Sequence, residues 1–481
     1  MDLLFLQSIW FEFLGTMSLV SSAKAAGYDV GIRIGSDSAL LDEVRKLKPR
    51  CVAFSCVTGI QGWAVQLSER IRAINPDIRI LMGGSHPTFF PEILDREPVL
   101  DAICVGEGEH VIVDILRAGD TPEAWTSIPN LHVRMGDTII RNEVRPLIED
   151  LDALPFMDRD AYYRYPMLRN NPVKLLITSR GCPNACTFCF NHSSMKLYLG
   201  KGQYVRKRSI DSVMDELDWL VSSYPVKTIR FEDDLFGTHR QWLLEFCSMY
   251  PRKFRLPFIC FMRADSIDRD VVKALVDAGC YNVVIGMETG DEYLRNTVLK
   301  KRITDDQLFE AAHLFHEFGL RFCTTNIFGL PGETFLQSLK TVQMNQKIRP
   351  TFTWCAIFQP YPRTELGRMV LEQGLVDSLD ADEIDPNYHS RSLLKQPEIG
   401  RSVNLHHFFY LLFRFPWLLP ILKPLTRIPP NRLFILIHRI SFLFIYAKRW
   451  NISIIRAIQE GRKAAGFTRK LPQKRHSAVH E

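Results

Sequence analysis

Three cysteines within eight residues, Cys182-Pro-Asn-Ala-Cys186-Thr-Phe-Cys189, carry the strongest chemical signal in this chain of 481 residues. With eleven cysteines in all, such a triplet arises by chance in roughly one chain in a hundred or fewer. Three thiolates on a short loop can hold three irons of a [4Fe-4S] cube and leave the fourth iron without a protein ligand. A zinc ion would instead need a fourth tetrahedral donor, and His192 stands close by to supply it. The other cysteines, Cys51, Cys56, Cys104, Cys247, Cys260, Cys280, Cys323 and Cys355, are scattered over apolar segments, where a free thiol behaves as a small hydrophobe. So sparse a set excludes a disulfide scaffold and implies a reducing, cytoplasmic setting.

These residues need a frame. From Leu3 to about Leu116, short apolar runs alternate with helix-length amphipathic stretches. Strands are expected at Leu3–Leu6, Val30–Ile34, Cys51–Cys56, Ile78–Met82 and Ala102–Val105, which makes an α/β unit with a parallel sheet. Ligands of such sheets bind at the carboxyl ends of the strands. Two of those ends are glycine-rich: Gly83-Gly84-Ser85-His86 and Gly106-Glu107-Gly108. An acidic, irregular stretch near Leu147–Pro155 marks a linker, and a second alternation starts at Lys174. Its six strands, Lys174–Thr178, Thr228–Glu232, Phe258–Phe261, Asn282–Met287, Arg321–Ile327 and Thr353–Phe358, suggest a partial (β/α)6 TIM-type barrel. The division expected is 1–145, a linker at 146–172, a barrel at 173–370, an irregular connector at 371–403 and a helical segment at 404–481.

Composition is ordinary for a globular chain, 46% hydrophobic and 24% charged, which excludes a disordered tail protein. The net charge of +6 is unevenly placed. Residues 401–481 hold fifteen Lys and Arg against Glu460 and Glu481, giving +13 and leaving −7 for the rest. That basic segment is interleaved with Phe, Leu and Trp. Two readings stand: an amphipathic contact through 404–463 with the inner face of a membrane, where Lys448, Arg449, Arg462 and Lys463 meet anionic lipid, or a helical cap on the open barrel. Its apolar content speaks against a nucleic-acid partner. The apolar start at Met1 lacks the marks of a signal peptide and reads as a buried strand.

With Phe188 before its third cysteine, the triplet resembles that of the radical S-adenosylmethionine (SAM) superfamily. The resemblance implies that Cys182, Cys186 and Cys189 ligate a [4Fe-4S] cluster whose open iron chelates SAM, and that an electron from the cluster yields a 5′-deoxyadenosyl radical. Glu232, Asp233 and Asp234 match the family's SAM ammonium site, Arg263 its carboxylate contact, Glu288 its ribose contact, and Gly329 in Phe328-Gly329-Leu330-Pro331-Gly332 its adenine contact. The loops of Gly83, Gly84, Ser85, His86 and of Gly106, Glu107, Gly108 resemble the cobalamin-binding domain of the B12-dependent subfamily. The Asp-x-His-x-x-Gly motif of classical cobalamin proteins is missing, with Trp10 and Glu12 in the places of its Asp and His. This implies cobalamin without a protein histidine on cobalt, His86 being the nearest alternative. The activity implied is methylation of an unactivated carbon of a small molecule, which the apolar, basic tail suggests is lipophilic, with oxidative cyclisation or rearrangement without methyl transfer as the rival and a tethered carrier without turnover behind it. Such an enzyme also needs an electron donor such as flavodoxin or ferredoxin.

Overall fold

The computed structural model describes residues 1–384, 388–450, 453–455 and 458. They divide into two compact units, one built from Met1–Arg145 with Leu154–Leu168, the other from Pro146–Ala153 with Arg169–Ile454.

Five parallel strands form most of the first unit's sheet: β1 (Leu3–Gln7), β2 (Val30–Ile34), β3 (Cys51–Ser55), β4 (Arg79–Gly83) and β5 (Ala102–Cys104). An antiparallel hairpin, β6 (Leu131–Met135) and β7 (Thr138–Arg141), extends the edge, giving the order β2-β1-β3-β4-β5-β6-β7. β1 is buried along its whole length, because helices cover both faces of a parallel sheet. The hairpin escapes the sequence pattern: β7 has four residues, none of them buried, and pairs on one side only.

Residues 154–168, expected as linker, pack on this sheet. Tyr162 Oη donates to Gln7 Oε1 at 2.8 Å, and Tyr165 Oη accepts the Ile34 N–H at 2.8 Å. Arg159, fully buried, lies 3.9 Å from the equally buried Glu12, which also accepts from Tyr163 Oη at 3.1 Å. Removing one member of a buried ion pair leaves the other charge uncompensated, at about 3–5 kcal/mol. Glu12→Ala is therefore expected to lose about 3 kcal/mol of stability, read as a lower urea midpoint at unchanged slope; a midpoint within error of the parent would show that Arg159 is neutralised otherwise.

The second unit holds six parallel strands: β8 (Val173–Leu176), then, beyond the short pair β9 (Ser179–Arg180) and β10 (Arg206–Lys207), β11 (Thr228–Phe231), β12 (Phe258–Met262), β13 (Cys280–Glu288), β14 (Phe322–Phe328) and β15 (Phe352–Ile357). Their order, β15-β14-β13-β12-β11-β8, is a curled half-barrel with two edges. Capping boxes fix two of the crossing helices: Thr304 with Gln307 starts Asp305–Glu317, and Thr334 with Gln337 starts Phe335–Ile348.

The edge at β15 is covered by the C-terminal helices. In Ile399–Arg414, Leu405, Phe408, Phe409 and Leu412 pack with Phe328, Phe335, Leu339, Val342 and Cys355. Full burial of Phe408 and Phe409 contributes about 2 kcal/mol each. Phe442 and Ile445 of Arg432–Trp450 pack on Ile259, Val284, Cys323 and Phe352. This much of the segment is a cap. Its outer side exposes Trp417, Ile421, Leu433, Leu436, Ile440 and Phe444. No described helix is long and apolar enough to cross a membrane. The side chains of Lys448 and Arg449, and Arg462 and Lys463 altogether, lie outside the described residues.

Candidate functional site

Parallel strands put all their carboxyl ends on one rim, so residues far apart in sequence meet there. The cysteine loop follows β8 and β9 and ends at the helix Phe190–Leu197, for which Cys189 is the N-cap. All three thiols are free of disulfides. Asn184 Nδ2 donates to Cys182 Sγ at 3.3 Å, and the Cys189 N–H to the Cys186 carbonyl at 3.1 Å. Thr187 stitches the loop to the rest of the rim: its N–H donates to Leu299 O (3.1 Å), its hydroxyl to Val298 O (2.7 Å), and its carbonyl accepts from Leu366 N–H (2.8 Å). Burial pushes the Cys186 thiol up while Lys301 and Arg263 pull it back, and burial takes Cys189 up to about 11.

The acidic run after β11 splits into three roles. Asp233 is buried, with its oxygens taken by the Thr178 N–H and the Thr178 and Ser179 hydroxyls. Burial raises it to about 6 against those donors. It ties the end of β11 to the end of β8. Glu232 pairs with Arg230 at 2.8 Å, and Asp234 is exposed. Of the three, the latter two keep a more accessible carboxylate for a cation.

Arg263, just beyond β12, grips Asp265 through two nitrogens at 2.9 and 2.7 Å and the Lys301 carbonyl at 2.7 Å. Glu288 closes β13 at a shift of register, with φ of +66°. That left-handed backbone is rare for glutamate and costs on the order of 1–3 kcal/mol. Its carboxylate accepts from Lys301 Nζ at 2.8 Å, and both side chains are at most 10% exposed. Gly286 makes room: a Cβ there would lie 2.7 Å from Lys301 Nζ. Gly329 follows β14, where its N–H and that of Leu330 donate to Glu333 at 2.6 and 3.1 Å. Burial raises the Glu333 carboxyl to about 7.

In the first unit, Gly83 ends β4, and Gly84 and Ser85 lead into a single helical turn. Gly84 has φ of +94°, and a Cβ would come within 2.7 Å of the Cys56 carbonyl. Only glycine lets this loop press against the end of β3. His86 is buried, its Nδ1 3.2 Å from Thr58 Oγ1 and its ring 5.1 Å from that of Phe90. These contacts describe a packing residue. Gly106, Glu107 and Gly108 follow β5, with the Gly106 N–H on Thr88 Oγ1 at 3.0 Å. The ends of β3, β4 and β5 thus form a ledge poor in side chains, as a broad, flat ligand needs.

Comparison with known proteins matches the two units separately. The radical SAM superfamily model matches residues 176–343, and the B12 binding domain model residues 12–116. This is a B12-binding radical SAM enzyme. The chain is 28% identical to an uncharacterised methyltransferase of Pyrococcus horikoshii over 69% of its own length and 72% of that protein. It is 27% identical to the anaerobic magnesium-protoporphyrin IX monomethyl ester cyclase of Rubrivivax gelatinosus, over 72% of this chain and 64% of that one. The radical SAM methyltransferase TsrM of Kitasatospora setae, solved with cobalamin and a [4Fe-4S] cluster, shares the fold, with a TM-score of 0.65 at 16% identity over 89% of this chain and 99% of TsrM.

The radical SAM unit suits such a cluster chemically. Among the described residues, one trio of potential ligands converges within 4.8 Å, as the donors of a single ion do, and it is His389, His406 and His438. Cys182, Cys186 and Cys189 lie near enough for their charges to act on one another, as the ligands of one cluster must. His192 lies 3.7 Å from Glu365, an acidic neighbour. Lys301 and Arg263, both near Cys186, supply the positive charge that favours thiolates. Lys301 was not legible in the sequence, since a lone lysine thirteen residues beyond Glu288 belongs to no motif. Its Nζ also lies 6.0 Å from the Phe188 ring, a weak link to the cysteine loop. The loop at Pro360–Thr364, to which the sequence assigned no part, supports the same place: the Tyr361 ring meets that of Phe190 at 5.0 Å, and Ser193 Oγ donates to the Arg363 carbonyl at 2.6 Å.

Proposed function

We propose that this enzyme methylates an unactivated carbon of a small lipophilic molecule. The observation that carries the reading is the pairing of the two domains in one chain whose relative over 72% of its length is named a methyltransferase. When bound, the cluster would supply the electron that cleaves SAM and cobalamin would carry the methyl group. The chain's own part is to hold and shield. Cys182, Cys186 and Cys189 hold the cluster, Glu232 and Asp234 face the SAM ammonium, Arg263 its carboxylate and Glu288 its ribose, while Lys301 pairs with the buried Glu288 carboxylate. Gly83, Gly84, Gly106 and Gly108 keep the ledge of the first unit low enough for the corrin face.

The test is anaerobic turnover of a total lipid extract with methyl-deuterated SAM and a strong reductant. A lipid product heavier by one labelled methyl group is expected. The cyclase relative favours a second reading, and a product that has lost hydrogen and gained no label would replace methylation by oxidative ring closure.

Access to such a substrate is the role assigned to the exposed side of the cap. Leu433, Leu436, Ile440 and Phe444 recur along one side of a helix, flanked by exposed Arg432 and Arg439, with Lys423 and Arg427 nearby. Apolar residues beside cations suit an anionic lipid surface. The full chain is expected to sediment with phosphatidylglycerol vesicles, and Leu436→Glu with Ile440→Glu to remain in the supernatant. Full-length protein that stays in the supernatant would reduce the segment to a cap.

A further inference from the structure

The cap contains a concentration of imidazoles that nothing so far uses. His406 lies on the helix Ile399–Arg414, His438 on Arg432–Trp450, and His389 in the connector before them. The His406 and His438 rings stack at 4.5 Å, and His389 is 5.4 and 5.2 Å from them. One ring nitrogen from each lies within 4.8 Å of the other two, and His389 Nδ1 is 3.3 Å from His406 Nε2. His406 is wholly buried and His438 is 4% exposed, yet Nδ1 of each lacks a hydrogen bond of good geometry. Poorly satisfied ring nitrogens in an apolar interior are costly, which leaves the cluster open to a ligand.

What would complete it follows from its surroundings. The rings around the trio are Trp354, Tyr410, Phe442, Phe328 and a fourth histidine, His407, whose Nε2 lies 3.1 Å from the His389 carbonyl and steadies the connector. Among the described residues, no carboxylate stands with these rings to stabilise an imidazolium. Burial among aromatic rings favours neutral imidazole at His406 and His438, the form in which histidine binds metals. Neutral imidazole suits zinc, and three histidines with one open position form an established zinc environment.

We propose that His389, His406 and His438 bind a divalent transition-metal ion, Zn2+ foremost, that staples the connector and both cap helices onto the half-barrel. The site is separate from the cysteine loop in residues and in donor chemistry, so it stands whether or not the methylation reading does.

The experiment uses the full chain with its iron cluster in place, dialysed anaerobically against Zn2+ and then against metal-free buffer, with zinc and iron counted by mass spectrometry. One zinc per chain is expected in the parent and none in His389→Gln/His406→Gln/His438→Gln, at equal iron. Zn2+ should also raise the melting temperature of the parent and leave that of the triple variant unchanged. Should the triple variant fail to keep its iron, His438→Gln alone is compared, with Co2+ as an optical probe of imidazole ligation; affinity at least tenfold weaker than in the parent is expected. Parent protein that retains no zinc and gives no ligand-field spectrum with Co2+ overturns the proposal, as does zinc retained equally by parent and variant.

Discussion

Alanine at Cys182, Cys186 or Cys189 is expected to remove the broad thiolate-to-iron absorption of the reconstituted protein and to reduce SAM cleavage to background. The three thiols sit on a loop fixed from several sides, by Asn184 on Cys182 and by Thr187 on Val298, Leu299 and Leu366. A vacated position therefore has no flexible neighbour to fill it. His192, the alternative donor the sequence offers, lies 3.7 Å from the Glu365 carboxylate. Each substitution leaves two thiolates for a cube that needs three. A control separates this from general unfolding, because each variant should still bind cobalamin through the first unit. Iron absorption retained in any of the single variants would refute the ligand assignment.

What the sequence disclosed and what it hid divide along a physical line. Strand positions and the cysteine loop were legible because they are local: apolar runs of strand length, and three rare side chains in eight residues. All five expected strands of the first sheet and all six of the half-barrel appear, with ends within a few residues. Glu288 and Arg263 were legible as strand-end residues, since each stands at or just beyond the end of an apolar strand. Lys301 and the histidine trio were not, because their meaning lies in contacts across 13, 17 and 32 residues with no regular spacing. The role of Asp233 was hidden for a related reason. A carboxylate reads the same in sequence whether it faces a ligand or, as here, satisfies the Thr178 N–H and two hydroxyls. Even the linker kept a secret, as Tyr162 and Tyr165 find partners on the first sheet, and Tyr163 one in the loop after β1, some 130 to 155 residues earlier.

The Glu288–Lys301 pair should govern SAM affinity without governing cluster assembly. Both groups are buried, 2.8 Å apart, and Glu288 is held at φ of +66°, a conformation that ordinary packing has no reason to impose on glutamate. Glu288→Gln keeps the shape and loses the charge. A hydrogen bond to a charged group is worth about 1.5–3 kcal/mol, so SAM binding should weaken by roughly 10- to 100-fold at unchanged iron content. Lys301→Met should do more. It strips the countercharge from a buried carboxylate and removes one of the two cations near Cys186, so a lower yield of cluster is expected alongside weaker SAM binding. The double variant distinguishes the two effects. If Lys301 serves SAM only by compensating Glu288, then Glu288→Gln/Lys301→Met binds SAM no worse than Glu288→Gln, and the pair shows strong non-additivity in a double-mutant cycle. Additive losses would mean that Lys301 contacts SAM on its own account, and unchanged affinity in Glu288→Gln would remove Glu288 from the site.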